Sequence, residues 1–379
     1  MAQRLKTDWI LFATVVVMVG FGLLIVFSAS SAMAELRYDS GYHFIIKQIF
    51  WAGVSLFILM FLKKMDYRRI KGQWWKFGPL GIVLILLVAA YVADPRRHRW
   101  LDFGWASLQP SEFAKPALVI FLAYLITERL RAINDRHTLL QALLAVAMLS
   151  GAVVMADLGT AVVLVFTSVT LLYVAGLEKR YLLMIAAGAA MLAVLAVAVK
   201  PYRLARIVGY VDPEYKLIEK IDPSGRIKAY AQNSLATRDT GYQARQSRIA
   251  VGSGGFMGVG PMNGTQKLLY LPEPHTDFIY AVVGEEFGFL GTSGILIGFL
   301  VILWRGLRLF FVSPDDFGRY LALGMSISVV AQAMINMSVV LDLTPTKGIP
   351  LPMISYGGSS LLSTLTSLGL LLSVSERSG

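Results

Sequence analysis

A single carboxylate, Asp277, lies in the segment Leu271-Pro-Glu-Pro-His-Thr-Asp-Phe278, just before a long apolar run. On a helix that rises about 1.5 Å per residue, the next acids, Glu285 and Glu286, lie about 12–14 Å deeper. That separation is too large for a pair of hydrolytic carboxylates, which are about 5–10 Å apart. One acid at this position suits a transfer reaction in which a single general base deprotonates an attacking hydroxyl. The alternative is that Asp277 and Thr276 cap the helix that follows.

A second charged group opens another apolar run, in the segment Gln109-Pro-Ser-Glu-Phe-Ala-Lys115. Glu112 and Lys115 are three residues apart, so a helix presents them on one face. Charges within a membrane span are costly and normally face the protein interior or an aqueous cavity. The pair is therefore either a buried structural clasp or part of a site.

The composition indicates which elements position these residues. Hydrophobic residues make up 56% of the 379 residues and charged residues only 16%, which is typical of a polytopic membrane protein. The absence of cysteine excludes disulfides, a thiolate nucleophile and thiolate-ligated metals, and four scattered histidines argue against a zinc site. The net charge of +11 comes largely from residues between the apolar runs, where cations set topology and contact lipid headgroups. The sequence predicts no nucleic-acid partner.

Ten apolar stretches have the length that crosses a bilayer, about 17–25 residues. They lie at residues 8–28, 44–62, 77–93, 111–127, 139–156, 158–175, 181–199, 276–303, 318–341 and 351–374. The sequence thus predicts an all-α polytopic membrane protein that forms one domain over residues 1–379. The first stretch is predicted to remain as an anchor and not to be cleaved as a signal peptide.

The orientation follows from the basic loops, because Lys and Arg accumulate on the cytoplasmic side. Residues 63–76, 129–136, 179–180 and 305–308 are rich in Lys and Arg, and all fall on one side of the predicted spans. Both termini are therefore predicted to be cytoplasmic. Residues 200–275 then form a large extracytoplasmic loop between the seventh and eighth spans.

One short outer loop departs from this charge pattern, because it carries Arg96, Arg97 and Arg99 beside Trp100. The planar donors of arginine suit phosphate oxygens, and an indole ring can stack on a sugar or lie at the headgroup level. The loop therefore either binds an anionic ligand or is an interfacial belt whose arginines snorkel to lipid phosphates.

The large outer loop contains two further features. Residues 241–252, which include Arg245 and Arg248, have helical spacing and could lie in the plane of the interface. Residues 252–264 are rich in glycine, but no strand precedes them, so the match to a nucleotide-binding loop is weak. These glycines either let backbone amides approach an anionic or sugar ligand or form a compact re-entrant turn.

Other polar residues near the span ends favour structural roles. Asp157 is predicted to cap the sixth span, and Gln332 and Asn336 are predicted to bridge helices. Ser355, Ser359 and Ser360 indicate close helix packing. Three prolines, Pro345, Pro350 and Pro352, break the backbone between the last two spans, which suggests a cavity-lining loop.

Together these residues resemble one family, the SEDS proteins (shape, elongation, division and sporulation). The resemblance covers nearly the whole chain. It rests on Arg99-Trp100-Leu101, Gln109-Pro-Ser-Glu-Phe-Ala-Lys115, Asp157-Leu-Gly-Thr160, Gln246-Ser-Arg-Ile-Ala-Val-Gly-Ser-Gly-Gly255, Leu271-Pro-Glu-Pro-His-Thr-Asp-Phe278, Gly284-Glu-Glu286 and Pro350-Leu-Pro-Met-Ile-Ser-Tyr-Gly-Gly-Ser-Ser360.

The resemblance implies a ten-span peptidoglycan glycosyltransferase that polymerises lipid II on the outer leaflet. The essential aspartate of the family falls on Asp277, which would deprotonate the acceptor 4-hydroxyl and produce a β-1,4 bond with inversion. Undecaprenyl diphosphate would leave. Residues expected to bind substrate or its diphosphate are Arg96, Arg97, Arg99, Trp100, Glu112, Lys115, Arg245, Gln246, Ser247, Arg248, His275 and Lys347. A divalent cation, Mg or Mn, could share this role, although no ligand cluster predicts a metal site.

Within the family, Leu343-Thr-Pro-Thr-Lys-Gly-Ile-Pro350 and Gly284-Glu-Glu286 resemble the division branch, FtsW, more than the elongation branch, RodA. This implies a septal location in the bacterial cytoplasmic membrane and, as partners, a class B penicillin-binding protein and other divisome membrane proteins. The residues between Asp212 and Gly241 are additional to the family pattern. The alternatives are a RodA-type elongation polymerase, a lipid II flippase, for which no convincing inverted repeat is seen, and a non-catalytic division scaffold.

Overall fold

The computed structural model describes residues 7–94, 98–105, 107–198, 201–212, 222, 225, 240–268, 270, 271, 274–345 and 348–378. The described residues form twelve α-helices and one two-stranded hairpin. The helices are α1 (Trp9–Tyr38), α2 (His43–Lys64), α3 (Gln73–Ala93), α4 (Pro110–Arg129), α5 (Arg136–Ala156), α6 (Leu158–Val174), α7 (Lys179–Ala198), α8 (Pro201–Val211), α9 (Thr240–Ser253), α10 (Ile279–Val312), α11 (Asp316–Val340) and α12 (Gly358–Ser375). The hairpin, which the sequence did not predict, pairs β1 (Leu101–Asp102) with β2 (Ser107–Leu108) in antiparallel register.

The long helices occupy the predicted spans. Each of the ten predicted ranges overlaps one of α1–α7 and α10–α12. Seven of the described helices, α1, α2, α3, α5, α10, α11 and α12, are both long and apolar enough to cross a membrane, and α6 is a shorter apolar helix. The all-α, multi-pass architecture is therefore confirmed, and the count of ten crossings stays a prediction.

The centre of the bundle consists of α4, α11 and α12, whose side chains are buried over most of their length. Helix α12 packs against α2, α10 against α11, and α3 against α4. Small residues allow the close approaches, since a methyl group at Gly324 would meet Val119 and one at Gly369 would meet the backbone of Leu59. Close packing of this kind replaces the hydrophobic effect, which is weak between helices that are already in lipid.

Helix α10 is broken at Gly288, so the predicted continuous span over 276–303 is corrected to two helical pieces. Gly288 has φ of +60°, a left-handed conformation that favours glycine. The glycine-rich segment 254–260 inserts at the break and supplies the missing backbone partners. Four hydrogen bonds of 2.9–3.3 Å do this: Val259 N to Glu285 O, Gly260 N to Glu286 O, Phe289 N to Gly255 O and Leu290 N to Phe256 O. The segment is thus the compact turn that was one of its two predicted forms.

The last predicted span, 351–374, is helical only from Gly358. Residues 348–357 are non-helical, and most of them are buried, because the prolines at 350 and 352 cannot continue a helix. Their polar groups are paired by side chains from two other helices. Gln48 donates to Ser355 O and accepts from Gly357 N, and Gln332 donates to Pro350 O. Irregular backbone is tolerated at membrane depth only when it is buried and satisfied in this way.

One end of the bundle is closed by charged contacts that join distant parts of the chain. Arg305 Nη2 lies 2.6 Å from Asp8 Oδ2, and Lys63 Nζ lies 3.4 Å from Glu376 Oε1. The N-terminal and C-terminal ends of the described chain therefore share a face with two of the basic loops. The start of α11 lies at this face, and its other end is about 37 Å away, given 1.5 Å per residue. We call the first face the basic-loop face and the opposite one the outer face.

Candidate active site

Asp277 lies at the outer face, in a turn immediately before α10. Phe278, and not Asp277, occupies the N-cap position of α10, which does not support the alternative in which Asp277 and Thr276 cap this helix. The Asp277 side chain is half-buried. Its main-chain carbonyl accepts a hydrogen bond of 2.8 Å from Asn336 Nδ2, and the preceding carbonyl, of Thr276, accepts one of 2.6 Å from Ser355 Oγ. The backbone that carries the carboxylate is thus fixed by side chains from α11 and from the 348–357 segment.

The 348–357 segment also approaches the carboxylate itself. A methyl group at Gly348 would lie 2.5 Å from Asp277 Oδ2, inside van der Waals contact. Glycine is therefore required at this position for the carboxylate to keep its place. Asn336 donates from the same Nδ2 atom to Ile349 O at 2.6 Å, so one amide group holds both the Asp277 turn and the segment beside it.

Arg99 and Trp100 lie together at the outer face. The Arg99 guanidinium is 5.7 Å from the centre of the Trp100 ring, and its Nη2 is 3.4 Å from Asp157 Oδ2. When the Gln109 amide is oriented to satisfy its hydrogen bonds, its oxygen accepts from Arg99 Nε at 3.0 Å. The arginine side chain is 24% exposed. It is therefore oriented by three neighbours while part of it stays accessible.

Asp157 connects Arg99 to the rest of the site. Its Oδ1 accepts from Gly159 N at 2.9 Å and from Thr160 N at 3.3 Å, which confirms that it caps α6. Gly159 packs so closely on the Ile349 side chain that a methyl group would overlap it. A short series of contacts therefore runs from Arg99 through the start of α6 to the segment that lies against Asp277.

Glu112 and Lys115 form a buried ion pair inside α4. Lys115 Nζ is 2.7 Å from Glu112 Oε2, and the two side chains are 6% and 0% exposed. Lys115 also donates to Gln332, which in turn donates to Pro350 O. This geometry favours the structural clasp over a freely accessible cation, because the ammonium group supports the 348–357 segment from within the bundle. Direct contact of either residue with substrate stays a prediction.

His275 is buried between aromatic rings. Its ring centre lies 4.6 Å from that of Phe44 and 5.6 Å from that of Tyr356, and its carbonyl accepts a hydrogen bond from Tyr356 N. The residue therefore packs the Asp277 turn against α2 and the start of α12. Contact of His275 with substrate stays a prediction.

The predicted residues of α9 lie near the outer end of α11. Ser247 is buried and donates to Val340 O at 2.6 Å, so its hydroxyl serves helix packing. Arg248 Nε lies 3.2 Å from Asp342 Oδ2, and its side chain is 61% exposed. Arg245 is exposed and Gln246 is half-buried. The remaining predicted cations, Arg96, Arg97 and Lys347, lie outside the described residues.

A model of the FtsW/RodA/SpoVE family, described as cell cycle proteins, matches residues 8–379. The chain belongs to this family. It is 36% identical to the probable peptidoglycan glycosyltransferase FtsW of Trichlorobacter lovleyi, with 97% of this chain and 93% of that protein covered. It is 34% identical to the stage V sporulation protein E of Bacillus subtilis, with 99% of both covered. The predicted membership of the SEDS family is thereby confirmed.

Two solved structures have a similar fold. A chain from a structure titled "Structural coordination of polymerization and crosslinking by a peptidoglycan synthase complex" superposes with a TM-score of 0.73 and 27% identity, with 98% of both chains covered. The rod shape determining protein RodA of Thermus thermophilus gives a TM-score of 0.66 and 25% identity, with 99% of both covered. The predicted function, that of a SEDS glycosyltransferase in cell division, agrees with these names.

Sequence reasoning missed several residues of this site. Gln48 was not singled out, although a polar residue in an apolar span is a usable signal. Arg203 is buried on α8 and donates to Val154 O at 2.8 Å, close to Asp157 along the chain, and nothing distinguished it from other cations of the outer loop. Lys267, which is 4% exposed, was missed for the same reason. Among the described residues, no three His, Asp or Glu side chains group as a metal site, and a role for Mg or Mn stays a prediction.

Proposed function

We propose that this protein is a peptidoglycan glycosyltransferase that polymerises lipid II into β-1,4 glycan on the outer face of the bacterial cytoplasmic membrane, for septal synthesis in division. The observation that supports this most is the setting of Asp277. A half-buried carboxylate stands at the outer face on backbone that Asn336 and Ser355 hold in place. A general base needs this combination of access to substrate and fixed position.

The reaction uses Asp277 as its single base. The carboxylate accepts the proton of the acceptor 4-hydroxyl while that oxygen forms a bond to the anomeric carbon of the lipid-linked donor. The bond from that carbon to the diphosphate oxygen breaks, and undecaprenyl diphosphate leaves with the electron pair. Attack opposite the leaving group converts the α-linked diphosphate into a β-1,4 glycosidic bond. One base is sufficient because the diphosphate is a good leaving group.

Cations at the outer face stabilise the departing diphosphate. Arg99 is the best placed of the described candidates, since Asp157 and Trp100 orient a guanidinium that stays partly exposed. Lys115 acts indirectly in this proposal, by supporting the segment beside Asp277. A divalent cation, Mg or Mn, is an additional way to neutralise the same charge.

In this proposal ten helices cross the bilayer, both termini lie in the cytoplasm and residues 200–275 lie outside. Apolar side chains that are exposed on the helices face the lipid, among them Leu24, Phe57 and Ile85. Grooves between such helices accept polyprenyl tails while the sugars meet Asp277. The partner is a class B penicillin-binding protein within the division machinery, which the peptidoglycan synthase complex among the structural relatives supports.

The decisive test is the polymerisation of labelled lipid II by the purified protein together with its penicillin-binding partner. Asp277→Asn keeps the shape of the side chain and removes its basicity, so we expect turnover to fall by about 10³-fold, in the range of losing a general base. The control is Asp39→Asn, because Asp39 is exposed, lies at the outer end of α1, and has a left-handed φ of 52° that asparagine also adopts. We expect the control to keep its activity.

The same preparation distinguishes the rival functions. Transport of labelled lipid II is measured in vesicles that contain only this protein, beside polymer formation. Transport without polymer, unaffected by Asp277→Asn, would identify a flippase and overturn the proposal. An absence of both activities in a protein that still binds its partners would indicate a scaffold.

A further inference from the structure

We infer that Ser28, Lys267 and Glu286 form a buried latch that positions Asp277, so that these three are positioning residues for the transfer reaction. Lys267 Nζ lies 2.5 Å from Glu286 Oε1 and donates to Ser28 Oγ at 2.7 Å. Ser28 Oγ in turn donates to Glu286 at 2.6 Å. The three groups come from α1, from the outer loop and from the break in α10, so the latch joins three separate parts of the chain. The inference rests on the proposed function.

The latch is fully enclosed. The side chains of Lys267 and Glu286 are 4% and 0% exposed, and Ser28 is buried as well. The two charges neutralise one another, and the serine hydroxyl and the Met262 amide, 3.2 Å from Glu286 Oε2, satisfy further hydrogen bonds of the carboxylate. Loss of one partner would leave the other as an uncompensated buried charge, whereas loss of both charges together is far better tolerated.

A second carboxylate reinforces the same loop. Glu285 Oε1 accepts from Thr265 N at 2.7 Å, from Thr265 Oγ1 at 3.1 Å and from Gln266 N at 3.1 Å. Gln266 O then accepts from Leu271 N at 2.9 Å, and the Leu271 side chain is buried. The loop is therefore docked onto the break in α10 over several consecutive residues, and it leads directly into the segment that carries Asp277.

Both charged residues of the latch are close to Asp277 along the chain, one before it and one after it. On one side, Lys267 is ten residues before Asp277 along the loop. On the other side, Glu286 ends a short helical piece that begins at Ile279, two residues after Asp277, and that is buried throughout residues 279–286. The two charged residues of the latch thus flank Asp277 along the chain, ten residues before it and nine after it. A rigid, buried helical piece transmits a shift at its base to its other end, and small misplacements of a base reduce turnover strongly.

The test is a double-substitution cycle in the lipid II polymerisation assay. Lys267→Met leaves Glu286 charged and unpaired, and we expect kcat to fall by about 30-fold with KM changed by less than about twofold, since a buried charge without its partner disturbs its surroundings. Adding Glu286→Gln removes that charge, and we expect the double variant to recover about tenfold of the loss. Lys267→Arg, which keeps the charge, is expected to be less impaired than Lys267→Met. Asn263→Ala, in the same loop but exposed, is the control and is expected to keep its kcat.

A second readout does not depend on activity. The natural chain contains no cysteine, so Leu271→Cys introduces a single thiol at a buried position of the docked loop. We expect its reaction with a water-soluble maleimide to be slow, to accelerate by about tenfold when Lys267→Met is added, and to slow again in the variant that also carries Glu286→Gln, because opening of the loop limits access.

These outcomes separate the latch from the proposed function. If Lys267→Met labels no faster and polymerises at the unmodified rate, the latch is refuted even when Asp277→Asn is inactive. If the double variant is as impaired as Lys267→Met alone, the two charges are not coupled and the latch is likewise refuted. If the unmodified protein makes no polymer, the proposed function fails, and the labelling series still decides whether the loop is latched.

Discussion

The contacts that join the chain ends at one face of the bundle differ from those that hold the Asp277 turn at the other. On the basic-loop face, charged pairs join helix ends, such as Asp8 with Arg305 and Lys63 with Glu376. At the outer face, neutral amides from Gln48, Gln332 and Asn336 hold the irregular 348–357 segment and the Asp277 turn. An amide donates and accepts without a formal charge, so it fixes the backbone without placing a further charge beside the carboxylate.

This difference indicates that the basic-loop face and the outer face have different roles. Ion pairs join helix ends at the face where no chemistry is proposed, and neutral amides hold the backbone around the carboxylate that is proposed as the base. Substitutions at the outer face should therefore reduce turnover more than stability. Substitutions at the basic-loop face should reduce stability and leave turnover nearly unchanged.

The largest effect is expected from Asn336→Leu, which removes the amide that holds both Asp277 O and Ile349 O. The carbonyls of Asp277, which is half-buried, and of Ile349 would lose this donor. Because the turn that carries the carboxylate would no longer be held in place, we expect turnover to fall about 100-fold. The matched control is Asn134→Leu, because Asn134 also bridges two backbone groups, Gly176 O and Glu178 N, in a basic loop. An equal loss of turnover in both variants would contradict the comparison.

An effect on stability instead of turnover is expected from Arg305→Met. The substitution leaves Asp8, whose side chain is 2% exposed, as a buried charge without its ion-pair partner. We expect the free energy of unfolding to fall by about 3 kcal/mol, and the specific activity of the folded fraction to stay within about twofold. Thermal unfolding in detergent and polymerisation by the purified folded protein measure the two quantities. A loss of specific activity at unchanged stability would show that this face contributes to the chemistry.

The smallest effect is expected from Tyr67→Phe at the basic-loop face. Burial, together with the 2.6 Å hydrogen bond to Asp315, raises the pKa of Tyr67 to about 12. The raised pKa means that the folded protein favours the neutral phenol, so the stabilisation is fully present below about pH 10 and is lost as the pH rises towards 12. We expect the variant to be about 1 kcal/mol less stable at pH 8 and the difference to shrink by pH 11. A difference that grows with pH would contradict this account.

Local sequence signals predicted the parts of the site that need only local contacts. Asp157 was predicted as a helix cap because its acceptor oxygens reach amides two and three residues away. Glu112 and Lys115 were predicted to share a helix face because three residues separate them. The prolines at 350 and 352 predicted a break between the last two spans, although the last span was predicted from residue 351 and α12 begins only at Gly358.

The sequence did not predict the break in α10 or the latch behind it. The apolar run 276–303 contains five glycines, and nothing in the sequence distinguishes Gly288 from the other four, so the run is compatible with a continuous helix. The break is stabilised by the amides and carbonyls of residues 255–260, and these backbone groups are present in every sequence. Similarly, Lys267 and Ser28 are 239 residues apart, so their contact leaves no local pattern.

The sequence by itself determined the class of protein and the positions of its long helices, and it singled out Asp277 as the acid that we propose as the base. Hydropathy, proline and charge act over a few residues, so these features can be read locally. Only the tertiary structure decided that Asp277 stands outside the helix cap, that an asparagine 59 residues away holds its backbone, and that Gly348 lies against its carboxylate. The physical reason is that buried polar groups must find partners wherever the packed chain provides them, and the distance along the sequence does not limit that choice.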